Sequence, residues 1–195
     1  SLGALSENRA RPFDNKRDGL TMGEGGGIAV LSFRNPCKGE TTVIGAGSSN
    51  DANHRTGPSR TGEGLYRAIK AAFCSASITV DSIGAVKCHG TATPYNDAME
   101  AKALNLLFGS KWPPCVSYKG AIGHMSGAGS LIEILIAAEH LKKRKIPPTK
   151  GFFERGVDEN IPISSNSQSF TKPYALCLSA GFGGLNSAVI IKEHT

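Results

Sequence analysis

One arrangement occurs twice in this chain, and it constrains the fold more than any other feature: an apolar run ends, a histidine follows among small residues, and helical spacing begins. In the first copy, Ser82-Ile83-Gly84-Ala85-Val86-Lys87-Cys88 reads as a short strand and His89-Gly90-Thr91-Ala92-Thr93-Pro94 as a loop of small and hydroxylated residues. Met99, Ala103, Leu106 and Leu107 then give Asn96 to Phe108 the spacing of a helix. Asn96 or Asp97 is expected to cap it, with Glu100 in its first turn. In the second copy, Val116-Ser117 ends a strand and Tyr118-Lys119-Gly120-Ala121-Ile122-Gly123-His124 makes the loop. The helix after it carries Leu131, Ile132, Ile134, Leu135, Ala138 and Leu141, apolar nearly all round, which predicts burial. Alternating strand, loop and helix make an α/β chain, and such proteins hold ligands at the carboxyl ends of strands. His89, Lys119 and His124 are therefore the candidate site residues.

The rest of the chain supports this plan. Residues 1–8 read as the tail of a helix or loop, and Arg9 to Gly19 as a polar, turn-rich surface segment. Met22 to Gly27 is glycine-rich and leads into an expected strand, Ile28 to Phe33. No Lys-Ser/Thr follows those glycines and no helix follows them, so a phosphate loop is excluded and close backbone packing explains them. Thr42 to Ser48 reads as a strand, Ser49 to Ser59 as a polar loop with an exposed His54, and Thr61 to Ser75 as a helix beginning at Thr61 or Gly62. Pro147-Pro148 ends the later helical region, and Lys150 to Asn166 lacks periodicity. Tyr174 to Lys192 makes two strands joined at a glycine corner around Phe182. That corner either aims backbone N–H groups at a ligand or is a plain hairpin bend with a packed phenylalanine.

The 195 residues suit one domain, or one domain with part of another. A net charge of +6, scattered except for Lys142-Lys143-Arg144-Lys145, argues against nucleic acid and favours an acidic protein partner. No run approaches the ~20 apolar residues of a membrane span, so a soluble, cytoplasmic protein is expected. The five cysteines show neither CxxC nor metal spacing; no metal is expected, and Cys74, Cys88 and Cys177 should be buried free thiols in a reducing compartment.

Taken together, the segments resemble the β-ketoacyl-acyl-carrier-protein synthases, the condensing enzymes of fatty-acid and polyketide synthesis. His89-Gly90-Thr91-Ala92-Thr93-Pro94-Tyr95-Asn96-Asp97 is similar to their first histidine motif, and Ser117-Tyr118-Lys119-Gly120 with Gly123-His124 to their lysine and second histidine. Gly181-Phe182-Gly183-Gly184-Leu185-Asn186 resembles their C-terminal glycine loop. Arg11-Pro12-Phe13-Asp14 with Gly23-Glu24-Gly25 resembles the segment that closes their first half.

The resemblance implies a thiolase-like fold, one βαβαβ-type half of a five-layer αβαβα architecture. Residues 1–39 would be the terminal loop and strand of the N-terminal half, and 40–195 the C-terminal half. The implied activity is that of an acyltransferase: decarboxylative Claisen condensation of malonyl-acyl-carrier protein with an acyl thioester. The nucleophilic cysteine would come from the N-terminal half, because none of the five cysteines has the nucleophile's context. His89 and His124 would stabilise the enolate, Lys119 paired with Glu133 would tune the site, and Thr91 and Thr93 would bind the phosphopantetheine arm. Phe182 would gate the acyl pocket and, with Gly183, form part of the oxyanion loop; Arg11, Lys16 and Arg17, with Arg9, would meet the carrier protein. No resident cofactor is implied, since phosphopantetheine arrives with the substrate. Expected partners are the N-terminal half, acyl carrier protein, and a second synthase unit in a homodimer or heterodimer. The alternative is a non-catalytic synthase-like subunit of the chain-length-factor type, which typically lacks the catalytic histidines retained here.

Overall fold

The computed structural model describes residues 4–54 and 56–194. Residues 1–3 of the expected opening tail lie outside the described residues. A five-stranded mixed sheet organises the chain. Its strands are β1 (Thr41–Asn50), β2 (Ile83–Lys87), β3 (Cys115–Val116), β6 (Tyr174–Gly181) and β7 (Leu185–Glu193), in the order β1-β7-β6-β2-β3. Between them run α1 (Glu63–Ala76), α2 (Pro94–Phe108), α3 (Lys119–Ile122) and α4 (Ser126–Lys142). A two-stranded ribbon of β4 (Lys145–Ile146) and β5 (Gln168–Ser169) stands apart.

β6, β2 and β3 are parallel, so the residues that follow β2 and β3 and the far end of β6 emerge on one edge of the sheet. The corner at Phe182 lies there too, because β7 returns antiparallel from it. All five residues of β2 are buried, as expected of a strand covered on both faces.

On one face, α1 contributes Leu65, Ile69 and Ala72 and α2 contributes Met99, Ala103 and Leu104, closing a core over Val86, Leu176, Leu178 and Ile190. Phe13, from the segment before β1, is fully buried in this same core. On the other face Ala85, Val116, Ala175, Cys177 and Ile191 meet Ala137 and Leu141 of α4.

Several expectations change. α4 buries only the stripe Gly129, Glu133, Ala137 and Leu141; Leu131, Ile132 and Ile134 are half-buried and Leu135 is 40% exposed. Apolarity on all sides measures what a helix can bury, and in this chain only one side of α4 is covered. The expected strand Ile28 to Phe33 has no ladder partner and is not a strand; Ile28 is 90% and Val30 92% exposed. Alternation prepares a strand, but a neighbouring edge must complete it. α2 begins earlier than its periodicity suggests, with Thr93 at the N-cap and Pro94 at its first position, where the missing N–H costs nothing. Asn96 and Asp97 therefore sit inside the helix and do not cap it. Cys74 is exposed near the end of α1, whereas Cys88, Cys115 and Cys177 are buried.

Candidate active site

The loop after β2 is fastened by two carboxylates of α2. The N–H groups of His89 and Gly90 donate to Glu100 Oε1 and Oε2 at 2.5 and 2.8 Å, and those of Phe13 and Ala92 donate to Asp97 Oδ2 and Oδ1 at 2.7 and 3.2 Å. Burial raises Asp97 to about 6 and Glu100 to about 7, against the pull of those donors. Gly90, at φ +44°, presses on the second loop: a Cβ there would lie 2.5 Å from Ser117 Cβ, and Ser117 Oγ–H donates to the Gly90 carbonyl at 2.8 Å. The two copies of the strand–loop–helix arrangement are thereby locked side by side.

Lys119 opens α3 with its ammonium buried. Nζ donates to Glu133 Oε1 at 2.6 Å and to the His89 carbonyl at 2.7 Å, with His89 Nδ1 at a longer 3.4 Å. Glu133 comes from the buried stripe of α4, as its expected pairing with Lys119 required. It also touches a second buried lysine, Lys87, which donates to the Leu178 carbonyl at 2.7 Å. Burial pushes the Glu133 carboxyl up, but the Lys87 and Lys119 ammonium groups outweigh it and hold it below the usual range. Burial, then repulsion by Lys87, brings Lys119 down to about 8 despite Glu133.

His89 and His124 face each other with ring centroids 5.6 Å apart and planes nearly perpendicular. Burial, then the positive charges of Lys119 and Lys87, hold His89 well below the ordinary histidine range. His124, half-buried, is lowered by burial and by Lys119. The Ser126 N–H donates to His124 Nδ1 at 3.0 Å, and Lys119 faces Nδ1 of His89. Each ring thus has a donor against Nδ1, the arrangement that suits a neutral imidazole protonated on Nε2. Two N–H donors of one kind are thus available at one place. The segment Thr21 to Gly23 steadies the second: His124 N–H donates to the Thr21 carbonyl at 2.7 Å, and Gly23 N–H to the His124 carbonyl at 3.1 Å.

The remaining predicted residues divide. Thr91 is buried, and its hydroxyl lies 2.8 Å from that of half-buried Thr93, close beside the histidine loop. Phe182 stands on the same sheet edge with its ring 64% exposed, so the packed-phenylalanine reading does not hold. Its corner turns through Gly183 and Gly184 at φ +84° and +77°. The loop after β1 pins this corner, with Asn50 Nδ2 donating to the Gly183 carbonyl at 3.0 Å and Asp51 N–H to that of Gly184 at 2.8 Å. Asn186 Nδ2 donates to Asp51 Oδ1 at 2.7 Å. Of the expected carrier-protein cations, Lys16 is exposed. Arg17 is turned inward, donating to the carbonyls of Asp14 and Gly156 at 2.9 and 2.5 Å, and half-buried Arg11 pairs with Asp14 at 2.9 Å and covers the Phe153 ring. His54 is exposed, as expected.

Sequence reasoning missed Lys87, Asp51 and Asn186. Lys87 left a legible trace, a charge at an inward position of an otherwise apolar strand; Asp51 sits in a loop where polar residues are ordinary, and Asn186 at the start of β7, next to the glycine corner. Among the described residues no group of three His, Cys, Asp or Glu could hold a metal ion, and no helix is long and apolar enough to cross a membrane.

Residues 41–153 match the family model of the beta-ketoacyl synthase C-terminal domain. The 3-oxoacyl-[acyl-carrier-protein] synthase 2 of Vibrio cholerae is 35% identical over 96% of this chain and 48% of its own length. Among solved structures, the ishigamide ketosynthase/chain length factor superposes on all of this chain and 49% of its own, with a TM-score of 0.88 and 28% identity. A type II polyketide synthase structure, an acyl-carrier protein in complex with its ketosynthase, superposes on 98% of this chain and 51% of its own, with a TM-score of 0.86 and 25% identity. The chain spans about half the length of the curated relatives it matches. Two histidines and a lysine at the ends of parallel strands, in a thiolase-like α/β fold, and a family match over more than half its residues together establish that this chain belongs to the beta-ketoacyl synthases.

Proposed function

We propose that this chain is the C-terminal portion of a 3-oxoacyl-[acyl-carrier-protein] synthase, an acyltransferase that condenses malonyl-acyl-carrier protein with an acyl thioester. The observation that carries this reading is the facing pair His89 and His124, each with a donor against Nδ1, which suits neutral rings protonated on Nε2. Decarboxylation of a malonyl thioester releases CO2 and leaves the electron pair as an enolate, whose oxygen needs donors already in place. Two neutral imidazole N–H groups supply them without transferring a proton. The enolate carbon then attacks the acyl thioester and expels the thiolate of a cysteine, contributed by the N-terminal half of the synthase.

The other roles follow from position. Lys119 with Glu133 sets the tautomer and orientation of His89. Thr91 and Thr93 offer hydroxyls to the phosphopantetheine arm, and the Phe182–Gly183 corner borders the acyl pocket. Lys16, with Arg11, is the surface for an acidic carrier protein; one solved relative is itself a complex with an acyl-carrier protein. Residues 1–39 complete the N-terminal half, which covers the open side of α4; the whole synthase works as a homodimer or heterodimer.

Malonyl decarboxylation by the complete synthase tests the reading. His89→Ala and Lys119→Ala are each expected to lower it by roughly 10²–10³-fold, the usual loss for an electrostatic donor. Full turnover in both variants would replace this reading with the non-catalytic, chain-length-factor type of subunit.

A further inference from the structure

Lys87 occupies a position where packing alone calls for an apolar residue. It shares its sheet face with Ala85, and the small cavity beside it is lined by Val116, Tyr118, Ala137, Leu141, Ile146 and Ala175. Its side chain is 2% exposed. A buried ammonium is expensive unless paired, and Lys87 is paired with a carboxylate that already has a cation of its own. Two lysines therefore share Glu133: Lys119 takes Oε1 and Lys87 takes Oε2. That division leaves Lys119 one carboxylate oxygen, and an ammonium has three N–H donors. The other two are directed at His89, one to its carbonyl and one toward Nδ1.

We propose that Lys87 is a positioning residue for His89: by occupying the second oxygen of Glu133 it turns Lys119 toward the imidazole, and its charge keeps that imidazole neutral with the proton on Nε2. This inference rests on the decarboxylase reading for its catalytic meaning, and on the geometry of the cluster for its physical content. The groups around His89 are Lys87 on its own strand, Lys119 from α3, His124 from the link to α4, Glu133 from α4 and Glu100 from α2 beneath its backbone. Of the three cationic or basic neighbours that disfavour a charged His89, Lys119 ranks first, then Lys87, then His124. Removing Lys87 leaves one lysine against one carboxylate, so the positive field at His89 weakens and its proton affinity rises.

The test uses the complete synthase labelled with 15N-histidine. Lys87→Gln keeps a donor for the Leu178 carbonyl and removes the charge, whereas Lys87→Arg keeps the charge. In Lys87→Gln the His89 protonation midpoint is expected to rise by about one pH unit. The acid limb of malonyl decarboxylation should move upward with it, since activity is lost as pH falls through that midpoint. Lys87→Arg should restore both. A residue that merely ties β2 to α4 would lower stability and leave the midpoint unmoved, and that result overturns the proposal. The unsubstituted protein decides independently of any variant: its His89 15N shifts must show the Nε2–H tautomer, and an Nδ1–H tautomer overturns the proposal. If the midpoint moves as expected in a synthase that decarboxylates no malonyl thioester, the functional reading fails and the role of Lys87 stands.

Discussion

The two faces of the sheet are finished to different degrees. Under α1 and α2 the core side chains Leu65, Ile69, Leu104, Leu176 and Ile190 are fully buried. Under α4 the apolar layer has fewer members, setting small residues such as Ala85, Ala137 and Ala175 beside Leu141, Ile146 and Ile191, and Lys87, Lys119 and Glu133 are buried with it. Outside it, Leu135, Ile28, Val30 and Phe33 remain exposed. The comparison shows where a fold of this kind holds its stability and where it holds its chemistry. The first face supplies a rigid floor, and the second holds the buried cluster of Lys87, Lys119 and Glu133.

Truncating one side chain on each face tests this division. Leu104→Ala opens a cavity in a closed core and is expected to cost about 2–5 kcal/mol in chemical denaturation. Ile134→Ala, from a half-buried position on α4, should cost less than half as much in this chain, because partly covered methyls have less to lose. Equal costs would erase the distinction between the faces.

A smaller effect separates an unfinished face from a naturally wet one. Exposed apolar surface of this kind marks an interface. Leu135→Glu is therefore expected to weaken the packing of the two halves of the complete synthase by about 1–3 kcal/mol, the value of burying one such side chain. The same substitution in the chain alone should reduce self-association in sedimentation, with little change in its unfolding midpoint. An unchanged complete synthase would mean that α4 keeps its outer side in water.

The two faces also differed in how far sequence could foretell them. Leu65, Ile69 and Ala72, and the loop chemistry of His89 to Pro94, are local signals, and α1, β2 and α2 appeared where they pointed. The convergence of His89, Lys119 and His124 followed from parallel strands ending on one edge, so the centre of the site was legible too. What depended on distant covering was not. Hydropathy gave α4 and Ile28–Phe33 their apolar character, yet says nothing about what packs on them. Asp97 is a plausible cap from its place near a helix start; of its actual backbone donors Ala92 is local, but the Phe13 N–H lies 84 residues away along the chain. Arg17 looked like surface charge until Asp14 and Gly156 drew it inward.

Glu100 sits where the two faces meet, on a helix of the closed core with its carboxylate under the His89 loop, and it gives the finest test. Each oxygen accepts one N–H, from His89 and from Gly90, so Glu100→Gln loses one acceptor and turns an amide N–H toward a backbone N–H. A cost of about 1–3 kcal/mol follows for the donor left unpaired. Its pH dependence is more informative than its size. Burial raises the folded carboxyl to about 7, above its ordinary value of 4.5. Between those values the native state holds a proton that the unfolded chain has released, so the contribution of Glu100 to stability falls as pH rises through the window and levels off above it. Glutamine has no such slope. The stability gap between the parent protein and Glu100→Gln should therefore be wider at pH 5 than at pH 8 in paired denaturation curves. A gap that widens toward pH 8 would mean that the two backbone donors overcome burial and keep Glu100 ionised, making the loop beneath His89 an anion site and not a neutral brace.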